Sequence, residues 1–146
     1  MALSETITEL DYASLAEFRY QIRRFLHFSE LAARTAGIEP HQHQLLLALK
    51  GLARSEEPPT IGILAERLQI QHHSAVELVQ RLEDRRLISR SRSPADRRQV
   101  LIQLTPHGEA DLEKLTVCHL AELRANGPAL VAALEGLIRR NDGGGN

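Results

Sequence analysis

The sequence predicts a mainly helical chain that carries one small β-hairpin. Apolar residues recur at spacings of three and four over most of its length, which is the period of a helix face. One stretch, 87–104, alternates instead and is interrupted at Ser93-Pro94, which reads as a hairpin. Directly before it, 63–85 reads as two short helices joined by a tight turn.

Taken in order, residues 11–36 form the first helix, with Leu15, Phe18, Ile22, Phe25, Leu26, Ser29 and Ala33 along one face. Gly37 and the extended pre-proline Glu39 end it. Leu45 to Leu52 is apolar nearly all round and predicts a buried second helix. SEEPPT is a loop, because adjacent prolines deny the backbone its helix bonds. Ile63 to Leu68 makes a short helix, and after Gln69-Ile70 another runs from Gln71 to about Arg85. Its buried face is Ala75, Leu78, Val79 and Leu82. Its opposite face is His73, Glu77, Gln80 and Asp84, flanked by His72, Val76 and Arg81. Leu87 to Arg92 is a strand, Ser93 to Arg97 a turn, and Val100, Ile102 and Leu104 mark the return strand. Thr105-Pro106 starts a helix with a capping residue and a first-turn proline. Leu112, Leu115, His119 and Leu123 form its stripe, with Val117 and Leu120 alongside. Asn126-Gly127-Pro128 is expected to break it and open a last helix bearing Leu130, Leu134, Leu137 and Ile138. The tail at 141–146, DGGGN after Asn141, is expected to be disordered.

At 146 residues one domain with a real core is expected, and 42% hydrophobic with 25% charged residues fits a soluble globular protein. No apolar run approaches the roughly 20 residues of a membrane span, and MALSETITEL lacks the pattern of a secretory signal. Cys118, the single cysteine, cannot form an internal disulfide, so a reducing cytoplasm is the expected compartment. Aromatics at 3% and the absence of Trp argue against a base-stacking platform.

The net charge of −1 hides an asymmetry. Arginines 81, 85, 86, 90, 92, 97 and 98 stand against Glu83, Asp84 and Asp96, so 81–98 carries +4 and the remainder −5. Arginine's planar fork suits phosphates and base edges. Small Ala65 allows the two short helices to approach, Ile70 plugs their turn, and the second helix shows a polar outward face. A helix about 10–12 Å across fits a major groove about 12 Å wide. A charged hairpin directly after such a pair is a wing.

These residues resemble the MarR family of winged-helix transcription regulators. The resemblance rests on LAERL at 64–68, HHSAVELVQRLEDRRLISR at 72–90 and DRRQVLIQLTPHG at 96–108, and covers roughly 12–140. It implies one winged helix-turn-helix domain over 1–146, with a DNA-binding lobe at 40–104 and dimerisation helices at 11–36 and 105–140. It also implies a homodimer on a pseudo-palindromic operator of double-stranded DNA, repressing transcription until a small aromatic or lipophilic effector binds. His72, His73, Ser74, Glu77, Gln80 and Arg81 match the part of the family that reads the major groove, and Arg90, Asp96, Arg97 and Arg98 the wing. Asp96 resembles an aspartate that holds an arginine by an ion pair, with Arg98 as its partner. Two positions depart from the pattern. Arg86 stands where the family has glycine, so a left-handed backbone there would be strained. Glu77 is an acid on a DNA-facing surface, placed to accept from cytosine or to orient Arg81 one turn on.

Other readings remain open. His41 with His43, His27 with Glu30 and His119 with Glu122 invite a metal-sensing role, yet there is no HExxH and no four-ligand spacing. Histidines exposed to solvent or facing DNA are expected instead, with no metal and no cofactor. Cys118 could sense oxidants, but lies mid-helix among Val117, Leu120 and Ala121, where a buried, inert thiol is expected. No nucleophile elbow, phosphate loop or carboxylate pair suggests an enzyme. A winged helix used only for protein contacts would leave the arginine wing unexplained.

Overall fold

The computed structural model describes residues 6–139. Five helices and one hairpin follow in the order α1 (Glu9–Thr35), α2 (Pro40–Leu52), α3 (Ile61–Leu68), α4 (His72–Asp84), β1 (Ile88–Arg92), β2 (Val100–Leu104) and α5 (Pro106–Ile138). This is the mainly helical winged fold expected. Among the described residues no helix is long and apolar enough to cross a membrane. The glycine-rich tail at 141–146 lies outside the described residues.

Two compact units result, one made of 32–117 and the other of the segments up to Leu31 and from Cys118 onward. The first holds the core: Ile38, Leu45, Leu46, Leu49 and Leu52 meet Leu64, Leu78, Val79, Leu82, Leu87, Ile88, Ile102, Leu112 and Leu115. The helix α2 begins at Pro40, five residues before the expected start, because proline occupies its first turn and Gln42 Oε1 accepts the Glu39 N–H at 3.4 Å. That earlier start puts His43 on the inward face, where it is 1% exposed, and corrects the expectation of exposed histidines. The helix α3 starts at Ile61 because the Thr60 hydroxyl accepts from Ile63 N at 3.3 Å.

The turn between α3 and α4 is closed by backbone. Gln69 is left-handed (φ 53°), and the Ile70 N–H reaches back to the Ala65 carbonyl at 3.1 Å. Arg86 repeats the device after α4. Its φ of 58° is the strained conformation foreseen there, and Leu87 N donates to Leu82 O at 3.0 Å. The strands pair antiparallel, with Ile88 opposite Leu104, Arg90 opposite Ile102 and Arg92 opposite Val100. Ile102 N also donates to the Pro59 carbonyl at 2.8 Å, so the loop before α3 borders the hairpin.

Thr105 and Gly108 anchor the start of α5. Thr105 N donates to Leu87 O at 3.1 Å and its hydroxyl to Arg86 O at 2.6 Å, while Gly108 N donates to that hydroxyl at 3.1 Å. A Cβ on Gly108 would overlap the Leu87 carbonyl oxygen. Glycine is required here for space, not for its backbone angles.

The expected break at Asn126-Gly127-Pro128 does not occur, and α5 continues through Pro128 to Ile138. A proline costs a helix one N–H bond and some crowding with the preceding turn. Here Asn126 Nδ2 donates to Glu122 Oε1 at 2.8 Å across that turn, and strong helix formers such as Ala129, Leu130 and Ala132 follow. In this second unit the His119 ring lies edge-on to Phe25 and Phe28, at centroid distances of 6.1 and 5.5 Å. His119 Nε2 and Ser29 Oγ share a hydrogen bond of 2.8 Å. Cys118 is exposed, not buried as expected, because it falls off the stripe that carries Leu112 and Leu115 inward.

Candidate nucleic-acid interface

Helix α4 buries Ala75, Leu78, Val79 and Leu82 and turns the rest of its surface outward. His72, His73, Glu77, Gln80 and Arg81 are exposed, Val76 among them, while Ser74 is half-buried. The spacing of 73, 77, 80 and 84 therefore makes one continuous polar strip along the helix. Glu77 and Arg81 make no ion pair among the described residues, so the suggested orienting role of Glu77 has no counterpart here.

The wing is built by two short side chains. Ser93, 7% exposed, accepts the N–H groups of Ala95 and Asp96 at 3.3 Å and donates its own N–H to the Gln99 carbonyl. Asp96 Oδ1 accepts the backbone N–H of Arg98 at 3.0 Å. The expected ion pair between Asp96 and the Arg98 guanidinium is replaced by this backbone bond, because the turn brings the amide, not the side chain, onto the carboxylate. Asp96 still orders the loop that carries Arg97 and Arg98, both exposed.

The arginine cluster divides in two. Arg85 is a structural strut, donating to Gln42 Oε1 and to the Gly37 carbonyl, both at 2.8 Å. Arg92 Nη1 donates to the Arg97 carbonyl at 2.8 Å. Arg90 reaches from β1 to α4, where its Nε meets Glu83 Oε2 at 3.1 Å and its Nη2 meets Gln80 Oε1 at 2.9 Å. Gln80 Nε2 in turn donates to Asp84 Oδ1 at 3.0 Å. The guanidinium groups of Arg81, Arg86, Arg97 and Arg98 enter no hydrogen bond or ion pair among the described residues. They lie at the end of the helix strip and on the wing, unspent. None of the strut contacts was visible in the sequence, since they join residues up to 48 positions apart. Among the described residues no cluster of His, Cys, Asp and Glu could hold a metal ion.

A model of the MarR family matches residues 36–99, which span α2 to the wing. A protein of Thauera aromatica named as a transcriptional regulator for the hcr operon is 30% identical over 118 residues, covering 75% of this chain and 67% of that protein. The chain belongs to the MarR family of transcriptional regulators. Solved MarR structures share its fold. The regulator AbsC of Streptomyces coelicolor aligns with a TM-score of 0.69 at 21% identity, over 84% of this chain and 82% of that one. A cysteine-to-serine mutant of Escherichia coli MarR in complex with operator DNA aligns with a TM-score of 0.64 at 22% identity, over 84% and 88% of the two chains.

Proposed function

We propose that this MarR-family chain is a sequence-specific DNA-binding repressor that acts as a homodimer on a pseudo-palindromic operator. The observation that carries the reading is the polar strip of α4 beside four guanidinium groups that have no partner among the described residues. His72, His73, Ser74, Glu77 and Gln80 read base edges, and Arg81, Arg97 and Arg98 meet the backbone or the minor groove on a wing ordered by Asp96. The dimer reading is supported by exposed Leu10, Tyr12, Leu15, Leu26 and Leu31 on α1, and by Leu120, Leu123, Val131 and Leu134 on α5. So much apolar surface on a small chain calls for a partner. Working on DNA without catalysis, the protein would act in the cytoplasm.

Relief by a small apolar effector rests on family membership. Within 32–117 a hollow of about 330 Å³, lined by Leu112, Thr116, Val117 and Glu113 beside the Lys50–Glu109 ion pair, has the size and character for one. Selection of bound sequences from random duplex DNA tests the main reading. A palindromic motif is expected, and enrichment of no motif would refute it.

A further inference from the structure

Resting on that reading, we propose that Arg90 is a positioning residue, not a phosphate contact. It fixes the hydrogen-bonding polarity of Gln80, and thereby makes Gln80 select an adenine at one position of each half-site.

The contacts on Gln80 are chemically directional. Its carboxamide oxygen faces the Arg90 guanidinium at 2.9 Å and its nitrogen faces the Asp84 carboxylate at 3.0 Å. The flipped orientation would set the amide N–H groups against a cation that only donates, and the oxygen against a carboxylate that only accepts. The polarity of Gln80 is therefore determined by its neighbours. Arg90 is itself held, because its Nε bonds Glu83 Oε2 at 3.1 Å and neither side chain of that pair is more than about a third exposed (28% and 35%). With its charge matched by Glu83, Arg90 is poorly placed to neutralise a phosphate.

The clamp leaves Gln80 usable. An amide oxygen has two lone pairs and an amide nitrogen two hydrogens, so each atom keeps one free position. Gln80 is exposed on the outward strip of α4, the face proposed to meet DNA. One acceptor beside one donor is the pattern that a glutamine presents to adenine N6 and N7 in the major groove. A guanine, which offers two acceptors there, would oppose the fixed oxygen. An amide free to turn over could tolerate several edges, whereas a clamped one cannot.

The test is selection from random duplex DNA with wild type, Gln80→Ala, Arg90→Lys and Arg90→Ala, alongside affinity at several salt concentrations. Arg90→Lys keeps the charge but replaces two nitrogens at fixed spacing, Nε on Glu83 and Nη2 on Gln80, with one rotating ammonium that imposes no such geometry on Gln80. Wild type should prefer adenine at one half-site position by roughly 5- to 150-fold. Gln80→Ala should lose preference at that position alone. Arg90→Lys should relax the same position while leaving the salt dependence unchanged. Two results would overturn the proposal: Arg90→Lys keeping the wild-type motif, or Arg90→Ala flattening the salt dependence with the motif intact. Should Arg90→Ala not fold, Arg90→Lys decides alone. A wild-type protein that enriches no motif would remove the DNA reading itself, and this proposal with it.

Discussion

Replacing Gly108 with alanine sets two ordinary rules against each other. Gly108 lies in the first turn of α5, and by helix propensity alone alanine should stabilise it by about 0.8–1.0 kcal/mol. The new methyl would overlap the Leu87 carbonyl oxygen and sit 3.0 Å from its carbon. That carbonyl cannot swing aside, because it accepts Thr105 N at 3.1 Å and lies in the turn fixed by Leu87 N on Leu82 O. The helix must retreat instead, straining Thr105 N–Leu87 O and Thr105 Oγ1–Arg86 O. Two bonds at about 1 kcal/mol each, with overpacking of about 1–3 kcal/mol, outweigh the propensity gain. The net loss should be about 2–4 kcal/mol. Followed by circular dichroism at matched protein concentration, this should lower Tm by roughly 6–12 °C, at about 3 °C per kcal/mol. A variant as stable as wild type, or more so, would show that the close approach does not govern this junction.

Arg86→Gly should act in the opposite sense. Relief of a left-handed residue is worth about 1–2 kcal/mol, less about 0.5–1 for glycine's freedom when unfolded, so a gain of about 0.5–1 kcal/mol should appear in urea unfolding. Arg97→Ala and Arg98→Ala should each weaken binding to many duplexes alike and reduce the slope of log K against log salt by about 1.8 in a symmetric dimer. Unchanged affinity would return the wing arginines to a solvated face. Asp96→Ala removes a loop bond rather than a DNA contact, so affinity should fall with little change of slope. Light scattering should give twice the 16.3 kDa chain mass, and Leu26→Glu or Leu134→Glu should lower it. A monomeric wild type would contradict the dimer.

What periodicity could carry was legible. The inward residues of α4, the alternation of the hairpin and the helix start at Thr105 all follow from local spacing and capping chemistry, and each stands where it was expected. The left-handed Arg86 was legible only as a departure from a family pattern. The continuity of α5 was not, because a proline's local cost decides a helix only when its neighbours do not outweigh it. Arg85 shows the other limit. It read as one more charge in a basic cluster, yet its partners Gly37 and Gln42 are brought to it by the chain's path. Gln80 was correctly placed on the outward strip, but nothing local announced that an arginine on the next strand would clamp it.

The bond from the Thr105 hydroxyl to the Arg86 carbonyl joins residues 19 apart and shuts both ends of the hairpin at one point. Everything between them is a closed loop whose entropy was spent when α5 docked. In such a loop, added length costs little, only about 0.6 kcal/mol for each doubling. The wing tip can therefore gain, lose or exchange residues while the junction of Arg86, Leu87, Thr105 and Gly108 keeps the fold. Among homologues, insertions should gather between Ser93 and Asp96, ahead of the Asp-Arg-Arg run, and a new operator contact can arise there without renegotiating the core.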